Sequence, residues 1–262
     1  MLRRARSLFK GPEPVAVQHC LPENRLVYAI ADLHGRADLL QLAAEAIAKD
    51  MADAPGADTL TVFLGDYVDR GPNSADVIER LSAGDFPTPI VALLGNHEYI
   101  MRQAWESDPA LLQWCDFGGL PTLFSYGVDV RGLQRGTNIA EARSAFCAAL
   151  PPRHRLWLEN LRSSFELGDY FFCHAGVRPD VALSDQAIED LIWIREAFTS
   201  SGKSHGKFIV HGHTPVMEPD VRDNRINIDT GACMTGKLTI LRLQGETRRL
   251  MQVSAKGLRP AK

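Results

Sequence analysis

Polar side chains that can bind metals follow apolar runs at five places along this 262-residue chain. Each run has the composition of a buried strand. The residues at the five ends are Asp32 and His34; Asp66, Asp69 and Arg70; Asn96, His97 and Glu98; His174; and His211 and His213. In α/β sheets, loops at the carboxyl ends of strands converge and form ligand sites. The pattern therefore predicts one site that is assembled from distant parts of the chain.

The donor types at these strand ends indicate which metals the site prefers. They are carboxylate, imidazole and amide oxygen, without cysteine, and this mixture suits manganese, iron or zinc. Their number exceeds what a single tetrahedral site needs when it must also admit a substrate. Two ions about 3.5–4 Å apart that share one carboxylate fit the number of donor residues better. Asp66 is the natural shared ligand, because it follows a predicted central strand and lies between the other donors in chain order.

Taken singly, each of these residues also has a structural explanation. Asp32 and Asn96 could belong to turns, and His174 could be a half-buried histidine. Asp69 could form a local ion pair with Arg70. Chance would not place so many oxygen and imidazole donors at strand exits while the strand bodies stay apolar, so their joint occurrence favours function.

The elements that must position these residues alternate in the first half of the chain. Strands that lead into loops are predicted within 26–35, 59–66 and 89–99, because these runs are apolar and rich in β-branched residues. Helices are predicted at 37–50 and 74–84, the second with Ser74 as its N-cap. This β-α-β-α-β order predicts parallel strands joined by crossover helices.

The second half contains more strands, predicted within 170–176, 208–215, 225–232 and 237–245, with a helical segment between 181 and 201. A helix-rich insertion of roughly 99–165 carries Trp105, Trp114 and Trp157, which we expect to be packing anchors. The predicted fold class is α/β (α+β), with two sheets packed as a β-sandwich and flanked by helices. Residues 1–24 are expected to form a flexible N-terminal tail and 25–262 a single domain.

Composition narrows the possible partners and the location. The net charge of −3 does not indicate a nucleic-acid or anionic-membrane surface, and no run approaches the length needed to cross a bilayer. The basic N-terminus lacks the apolar stretch of a secretory signal. Five scattered cysteines without CxxC spacing argue against a disulfide framework. We therefore expect a cytoplasmic protein with reduced thiols and no nucleic-acid or membrane partner.

The motifs together resemble the calcineurin-like metallophosphoesterases, and within them the bacterial and phage-type serine/threonine protein phosphatases. The matching segments are DLHG (32–35), GDYVDRG (65–71), GNHE (95–98), HAG (174–176), IWIRE (192–196), GHTP (212–215) and IDTGA (228–232). Each motif is weak alone, but their order and domain-scale spacing over roughly 26–245 are specific. The resemblance implies a β-sandwich fold and a metal-dependent phosphomonoester hydrolase.

The resemblance also implies a role for each matching residue. Two divalent ions, manganese in the first place with iron–zinc or magnesium as alternatives, would be held by Asp32, His34, Asp66, Asn96, His174 and His213. Between the ions, a water would lose a proton near neutral pH and attack phosphorus. His97 would protonate the leaving oxygen, oriented by Asp69, and Arg70 and Arg195 would hold the phosphoryl oxygens together with Asn96. The GHTP match favours His213 over His211 as the ligand, which leaves His211 as a neighbour of the ligands or a bystander.

The substrate class remains open between related enzymes. A phosphorylated protein is the first expectation, because Asp69 and Glu98 occur where relatives that cleave dinucleoside polyphosphates symmetrically typically have GDLVARG-like and GNHD sequences. Symmetrical hydrolysis of diadenosine tetraphosphate, or of another small phosphoester, is the alternative. A non-catalytic metal-dependent scaffold is the third reading, and it is disfavoured because no ligand or arginine of the motifs is missing.

Overall fold

The computed structural model describes residues 19–53, 55–256 and 259–260. Two β-sheets face each other across an apolar layer, and helices cover their outer faces. This mixed α/β sandwich is the architecture predicted from the sequence. Residues 1–18 of the expected tail lie outside the described residues. Residues 19–24, in contrast, contact the domain, since Leu21 is buried and its backbone N–H donates to the carbonyl oxygen of Gly245 at 3.0 Å.

The first sheet has six strands in the order β11-β10-β9-β1-β2-β3. The strands are β1 (Arg25–Ile30), β2 (Asp58–Phe63), β3 (Ile90–Ala92), β9 (Lys237–Gln244), β10 (Thr247–Ser254) and β11 (Arg259–Pro260). The first three are parallel, as the alternating sequence predicts, whereas β9, β10 and β11 add antiparallel pairs on the other side of β1.

The second sheet has five strands in the order β4-β5-β6-β8-β7. The strands are β4 (Ser164–Leu167), β5 (Tyr170–Cys173), β6 (Phe208–His211), β7 (Asp220–Val221) and β8 (Arg225–Asn227). Its central strands β5, β6 and β8 are parallel and its edges are antiparallel. The carboxyl ends of the parallel strands of both sheets carry the sequence motifs.

Helices connect and cover the sheets. They are α1 (Ala37–Ala52), α2 (Ser74–Ser82), α3 (Asn96–Ala104), α4 (Asp108–Trp114), α5 (Leu120–Ser125), α6 (Ile139–Ala149), α7 (Pro152–Glu159), α8 (Ile188–Trp193), α9 (Glu196–Thr199) and α10 (Ala232–Thr235). A π-helical turn, Cys115–Gly119, joins α4 to α5. No helix among the described residues is long and apolar enough to span a membrane.

Alternation along β1 shows how the layers form. Val27 and Ala29 face the second sheet, whereas Leu26, Tyr28 and Ile30 face the helices, and all five are fully buried. Successive side chains of a strand point to opposite faces, so an unbroken apolar run marks a strand that is covered on both sides. The strands therefore form a rigid base for the loops that follow them.

The structure corrects two details of the sequence reading. Ser74 is the first helical residue rather than the N-cap, and its hydroxyl lies 3.1 Å from the backbone N–H of Asp69. The strands predicted within 225–232 and 237–245 do follow one another along the chain, but β8 belongs to the second sheet and β9 to the first. The short helix α10 makes the connection between the sheets.

Candidate metal centre and active site

Metal-binding side chains from both sheets meet in two clusters at the carboxyl ends of the parallel strands. His34, Asp66 and His97 form one cluster, and Asp66, His174 and His213 form the other, with the ligand atoms of each within 4.8 Å of one another. All five side chains are buried. The first cluster comes from loops of the first sheet, and the second adds two histidines from the second sheet.

Asp66 lies between the two clusters and turns one carboxylate oxygen towards each. Its Oδ2 is 3.5 Å from Nε2 of His34, and its Oδ1 is 3.4 Å from Nε2 of His174. Asp66 is the shared member of both clusters, which is the position expected of a bridging ligand. Its Oδ1 also accepts the backbone N–H of His97 at 3.1 Å, and this contact fixes the carboxylate plane.

Two histidines are oriented by backbone carbonyl groups. Nδ1 of His34 donates to the carbonyl oxygen of Val68 at 2.8 Å, and Nδ1 of His174 donates to that of Leu64 at 3.0 Å. A carbonyl oxygen is only an acceptor, so each Nδ1 must carry the proton and each Nε2 keeps its lone pair. Such contacts fix the tautomer and orientation of metal-binding histidines.

Asn96 and His213 complete the second cluster. Oδ1 of Asn96 is 2.9 Å, and Nδ1 of His213 is 3.1 Å, from Nε2 of His174. Nε2 of His213 is buried without a hydrogen-bond partner. Nε2 of His174 and Oδ1 of Asn96 are both acceptors, so their close approach is repulsive unless they share a cation, and this packing fits a metal ion.

Asp32 lies beside these clusters but is not a member of either among the described residues. Its Oδ1 is 3.2 Å from the backbone N–H of His213, and the neighbouring carboxylate of Asp229 is also buried. Oδ2 of Asp229 has no hydrogen-bond partner in the described structure. The sequence analysis gave Asp229 no role beyond its place in the IDTGA segment, and only the structure reveals it as a second carboxylate next to Asp32.

The backbone around the clusters is strained and held by Glu98. The site residues His34, Asp66, Asp69, Arg70 and His213 all have positive φ, between 44° and 73°. Such conformations cost about 1–3 kcal/mol each and persist where surrounding contacts impose them. The Glu98 carboxylate supplies such contacts. It accepts the backbone N–H groups of Asp66, Tyr67 and Val68 in the Asp66 turn, and that of Gly95 just before α3.

The ionisation of the ligands is consistent with cation binding. Burial raises the pKa of Asp66 well above its ordinary value, and the nearby Asp32 raises it further. Burial lowers the pKa of His34 and His174 well below the ordinary value and that of His213 to about 2. Neutral imidazoles present lone pairs, and buried carboxylates need a positive partner. The donor set therefore fits two divalent cations, although the residues do not identify the element.

His97 forms a short buried pair with Asp69. Nδ1 of His97 is 2.6 Å from Oδ2 of Asp69, and neither side chain is exposed. Burial raises the pKa of Asp69 to about 7, against hydrogen bonds from Thr122 and Trp114 that lower it. Burial and the Arg70 guanidinium lower the pKa of His97 to about 3. The imidazole is therefore neutral here, with its proton on Nδ1 directed at Asp69.

Two arginines border the site. Arg70 donates to Nε2 of His34 and to Nε2 of His97, each at 2.9 Å. Arg195 is exposed just before α9 and close enough to His213 to lower the pKa of that imidazole. Among the described residues, neither guanidinium has a carboxylate within ion-pair distance, whereas Arg36 is bound to Asp38 by two hydrogen bonds of 2.8 and 2.6 Å. Arg70 and Arg195 are thus available to an anion.

The structure places His211, which the sequence left open, and gives Trp114 and Thr122 contacts that the sequence does not indicate. His211 is fully buried and belongs to neither cluster, with Nε2 3.3 Å from the guanidinium of Arg225. Trp114 is more than a packing anchor, because its indole N–H donates to both oxygens of Asp69, at 3.1 and 2.9 Å. Thr122 donates to the same carboxylate at 2.7 Å. No spacing in the sequence signals these contacts.

Solved structures share this fold at low sequence identity. A structure described as a putative diadenosine tetraphosphatase matches with a TM-score of 0.57 and 16% identity over 87% of this chain and 94% of that chain. The cold-active protein-tyrosine phosphatase of a psychrophilic Shewanella species matches with a TM-score of 0.54 and 15% identity, over 98% and 89% of the two chains. These likenesses establish the fold alone.

Sequence comparison identifies the family. The bis(5'-nucleosyl)-tetraphosphatase PrpE (asymmetrical) of Anoxybacillus flavithermus is 27% identical over 207 residues, which is 69% of this chain and 74% of that protein. The protein of the same name from Bacillus velezensis is 24% identical over 235 residues, 80% and 86% of the two chains. The family model for calcineurin-like phosphoesterases matches residues 26–230. Because this match covers most of the chain and includes every residue of both clusters, the chain belongs to the calcineurin-like phosphoesterases and is a metallophosphoesterase.

Proposed function

We propose that this metallophosphoesterase hydrolyses phosphomonoesters with two divalent ions, and that its substrates are serine or threonine phosphates on proteins, with phosphotyrosine as a further substrate. The observation that carries this proposal is the buried pair of His97 and Asp69 beside the bridging Asp66. A proton donor in this place increases the rate of hydrolysis most when the leaving group is poor, as the alkoxide of serine or threonine is.

The proposed ligands follow the two clusters. Asp32, His34 and Asp66 would hold one ion, and Asp66, Asn96, His174 and His213 the other. When bound, the ions would lower the pKa of a water and polarise the phosphoryl oxygens. We propose manganese as the native metal, with iron–zinc and magnesium as the alternatives that metal analysis must separate.

The proposed substrate-binding residues are Arg70, Arg195 and Asn96. A planar guanidinium can donate to two phosphoryl oxygens at once and neutralises charge that develops on them in the transition state. The two free arginines match the charge of one phosphoryl dianion. Because the nearby Arg36 is already neutralised by Asp38, the site offers little further positive charge for a polyphosphate chain.

Arg70 also controls when His97 can donate a proton. Its N–H points at Nε2 of His97, which is therefore an acceptor in this arrangement. A general acid must carry its proton on that same nitrogen. Arg70 must turn from His97 to the phosphoryl oxygens before Nε2 is protonated, and the phosphoryl charge then favours the imidazolium that Asp69 holds. Proton donation is thereby coupled to substrate binding.

Hydrolysis of dinucleoside tetraphosphates is the second candidate, because the matched relatives carry that activity in their names. Those names specify asymmetrical cleavage, whereas the sequence-based alternative was symmetrical cleavage. A phosphoanhydride has a good leaving group and gains less from a proton donor. The buried His97–Asp69 pair therefore favours the monoester, and the relatives favour the anhydride.

The deciding experiment is product release by chelator-stripped protein, with and without added Mn²⁺. The substrates are a phosphoserine peptide, a phosphotyrosine peptide and diadenosine tetraphosphate. Metal-restored release of phosphate from the peptides at the higher kcat/KM is the expected result. Preferred cleavage of the dinucleotide would overturn the substrate assignment, with two unequal nucleotides as products if cleavage is asymmetrical and two identical ones if it is symmetrical. Binding of two ions without any hydrolysis would overturn the enzymatic proposal.

A further inference from the structure

The helix-rich insertion contributes two buried hydrogen-bond donors to the active site. Trp114, the last residue of α4, and Thr122, in α5, both donate to the carboxylate of Asp69. The nearest of these contacts are 2.9 and 2.7 Å, and all three side chains are fully buried. The insertion thus contacts the residue that orients the proposed acid, His97.

The same segment also holds the backbone of the Asp69–Arg70 turn. Oγ1 of Thr122 accepts the N–H of Asp69 at 2.8 Å, and the carbonyl oxygen of Gly118 accepts the N–H of Arg70 at 3.1 Å. Asp69 and Arg70 have φ values of 73° and 66°, so this turn needs external contacts to persist. Gly118 in the π-helical turn and Thr122 in α5 supply these two contacts.

The local shape of the π-helical turn suits this purpose. Gly118 has a φ of 118°, which bends the chain over Arg70. A side chain on Gly119 would meet the indole of Trp114 at 2.6 Å, so glycine allows the ring to lie flat against the turn. The indole N–H can then reach Asp69 from a helix that begins about 40 residues later in the chain.

We infer that Trp114 and Thr122 are positioning residues for proton donation: they fix the Asp69 carboxylate, and through it the ring of His97, in the orientation that a leaving-group oxygen requires. This role rests on the proposed acid function of His97. A carboxylate that accepts hydrogen bonds from two donors besides His97, one of them shared between both oxygens, cannot rotate without breaking them. The insertion is therefore part of the catalytic apparatus as well as a cover for the sheet.

The test compares variants that each remove one hydrogen-bonding group. Thr122→Val removes the hydroxyl and keeps the shape, and Thr122→Ser keeps the hydroxyl. Trp114→Phe removes the indole N–H, and Trp105→Phe is its matched control, because the buried indole N–H of Trp105 has no partner among the described residues. Each variant is assayed with Mn²⁺ on 4-nitrophenyl phosphate, which has a good leaving group, and on a phosphoserine peptide, which has a poor one.

Thr122→Val and Trp114→Phe should lower kcat on the peptide by about tenfold or more and kcat on 4-nitrophenyl phosphate by less than about threefold, a part of the usual general-acid contribution. Thr122→Ser should restore the peptide rate, and Trp105→Phe should lower both rates equally or not at all. In an Asp69→Asn background, either change should add no further leaving-group dependence.

Two results would overturn the inference. One is an equal loss on both substrates for Thr122→Val and Trp114→Phe, which would indicate general damage to the site. The other is an undiminished effect in the Asp69→Asn background, which would show that the two residues do not act through Asp69. Wild-type protein without activity on either monoester would instead contradict the proposed function itself, so the two failures are distinguishable.

Discussion

The backbone N–H of His97 donates to Oδ1 of Asp66 at 3.1 Å, while Oδ2 of Asp66 faces the imidazole of His34. Helix α3 therefore fixes one oxygen of the Asp66 carboxylate and leaves the other directed at the first cluster. An asparagine at position 66 could satisfy the same N–H with its carbonyl oxygen. It would then place its NH2 group where a metal needs a lone pair.

Asp66→Asn should therefore fold normally but bind metal poorly. We expect metal content to fall from two ions to one or none per chain, and the metal-dependent rate to fall by at least about a thousandfold, since the removed group serves both ions. Metal analysis after dialysis and a far-ultraviolet circular dichroism spectrum measure the two properties. Asp58→Asn, at the opposite end of β2, is the matched control and should keep two ions.

His97→Ala distinguishes between two possible roles of His97, proton donor and metal ligand. His97 lies in a metal-binding cluster, but its Nδ1 is held by Asp69. For a donor, we expect two ions to remain bound and kcat to fall by about 10²–10⁴ on a phosphoserine peptide, with a much smaller loss on 4-nitrophenyl phosphate. Loss of an ion from the variant would show that His97 is a ligand instead.

The stability of metal-free protein should fall as pH rises above about 7. Burial raises the pKa of Asp69 and of Glu98 to about 7, and holds those of Asp32 and Asp66 well above their ordinary values. The folded state therefore binds more protons than the unfolded state, and raising the pH favours unfolding. The site histidines act in the opposite direction, but only up to their unfolded pKa of about 6.5.

This prediction is tested by urea unfolding in the presence of a chelator between about pH 7 and 8.5. We expect the free energy of unfolding to decrease over this range mainly through Asp32 and Asp66, because Asp69 and Glu98 lose their extra proton near pH 7. Added Mn²⁺ should reduce the slope, because the cations lower the carboxyl pKa values. A metal-free protein that becomes more stable over this range would contradict the prediction.

Asp50, in α1, connects this helix to the first sheet through hydrogen bonds with side chains of β1 and β9. Its carboxylate accepts from Tyr28 and from Arg242, both at 2.6 Å. Asp50→Asn should lower the free energy of unfolding at pH 7 by about 1.5–3 kcal/mol, as expected for hydrogen bonds to a charged group. Asp129→Asn, which breaks an exposed pair with Arg131, should cause no measurable change.

The effect of Asp50→Asn should depend on pH. Burial alone would raise the pKa of Asp50, but the hydrogen bonds from Tyr28 and Arg242 hold it below its ordinary value. A carboxyl whose pKa is depressed by folding stabilises the protein above its unfolded pKa and loses that contribution in acid. The difference between wild type and variant should therefore shrink below about pH 4, and a constant difference would argue against the ion pair.

Gly95 is a position in the site with no room for a side chain. A Cβ there would lie 2.1 Å from Oδ1 of Asp66 and 2.3 Å from its backbone nitrogen. Gly95→Ala should thus displace the Asp66 carboxylate, reduce metal binding and lower the melting temperature. Gly202→Ala, where a Cβ meets nothing within 4 Å, is the control and should leave metal content unchanged.

Strand ends made the site visible in the sequence. An apolar run that stops at Asp66, His174 or His213 is a local signal, and parallel strands bring such ends together. The structure assembles these residues as expected, and their individual roles remain predictions. Trp114 and Thr122 gave no such signal, because their contact with Asp69 spans 45 and 53 residues and depends on a π-helical turn.

The strands of the two sheets could be predicted only in part, because an apolar run is again the local signal. The parallel strands are continuous apolar runs, whereas β10 begins with Thr247, Arg248 and Arg249 and reads as a loop. β10 is a strand because its backbone pairs with β9, although its composition does not indicate one. The assignment of β8 and β9 to different sheets was hidden as well, since the two strands follow each other closely along the chain and the separation is made by the short helix α10.

The central position of β9 in the first sheet has a consequence for biosynthesis. β1 precedes the other described strands along the chain, yet one of its edges pairs along Leu26–Ile30 with a strand that is not complete until Gln244. The nascent chain therefore carries an apolar strand with an open edge until β9 has been synthesised, a state that is prone to association. His213 follows β6, so the second cluster cannot assemble before that strand has also emerged.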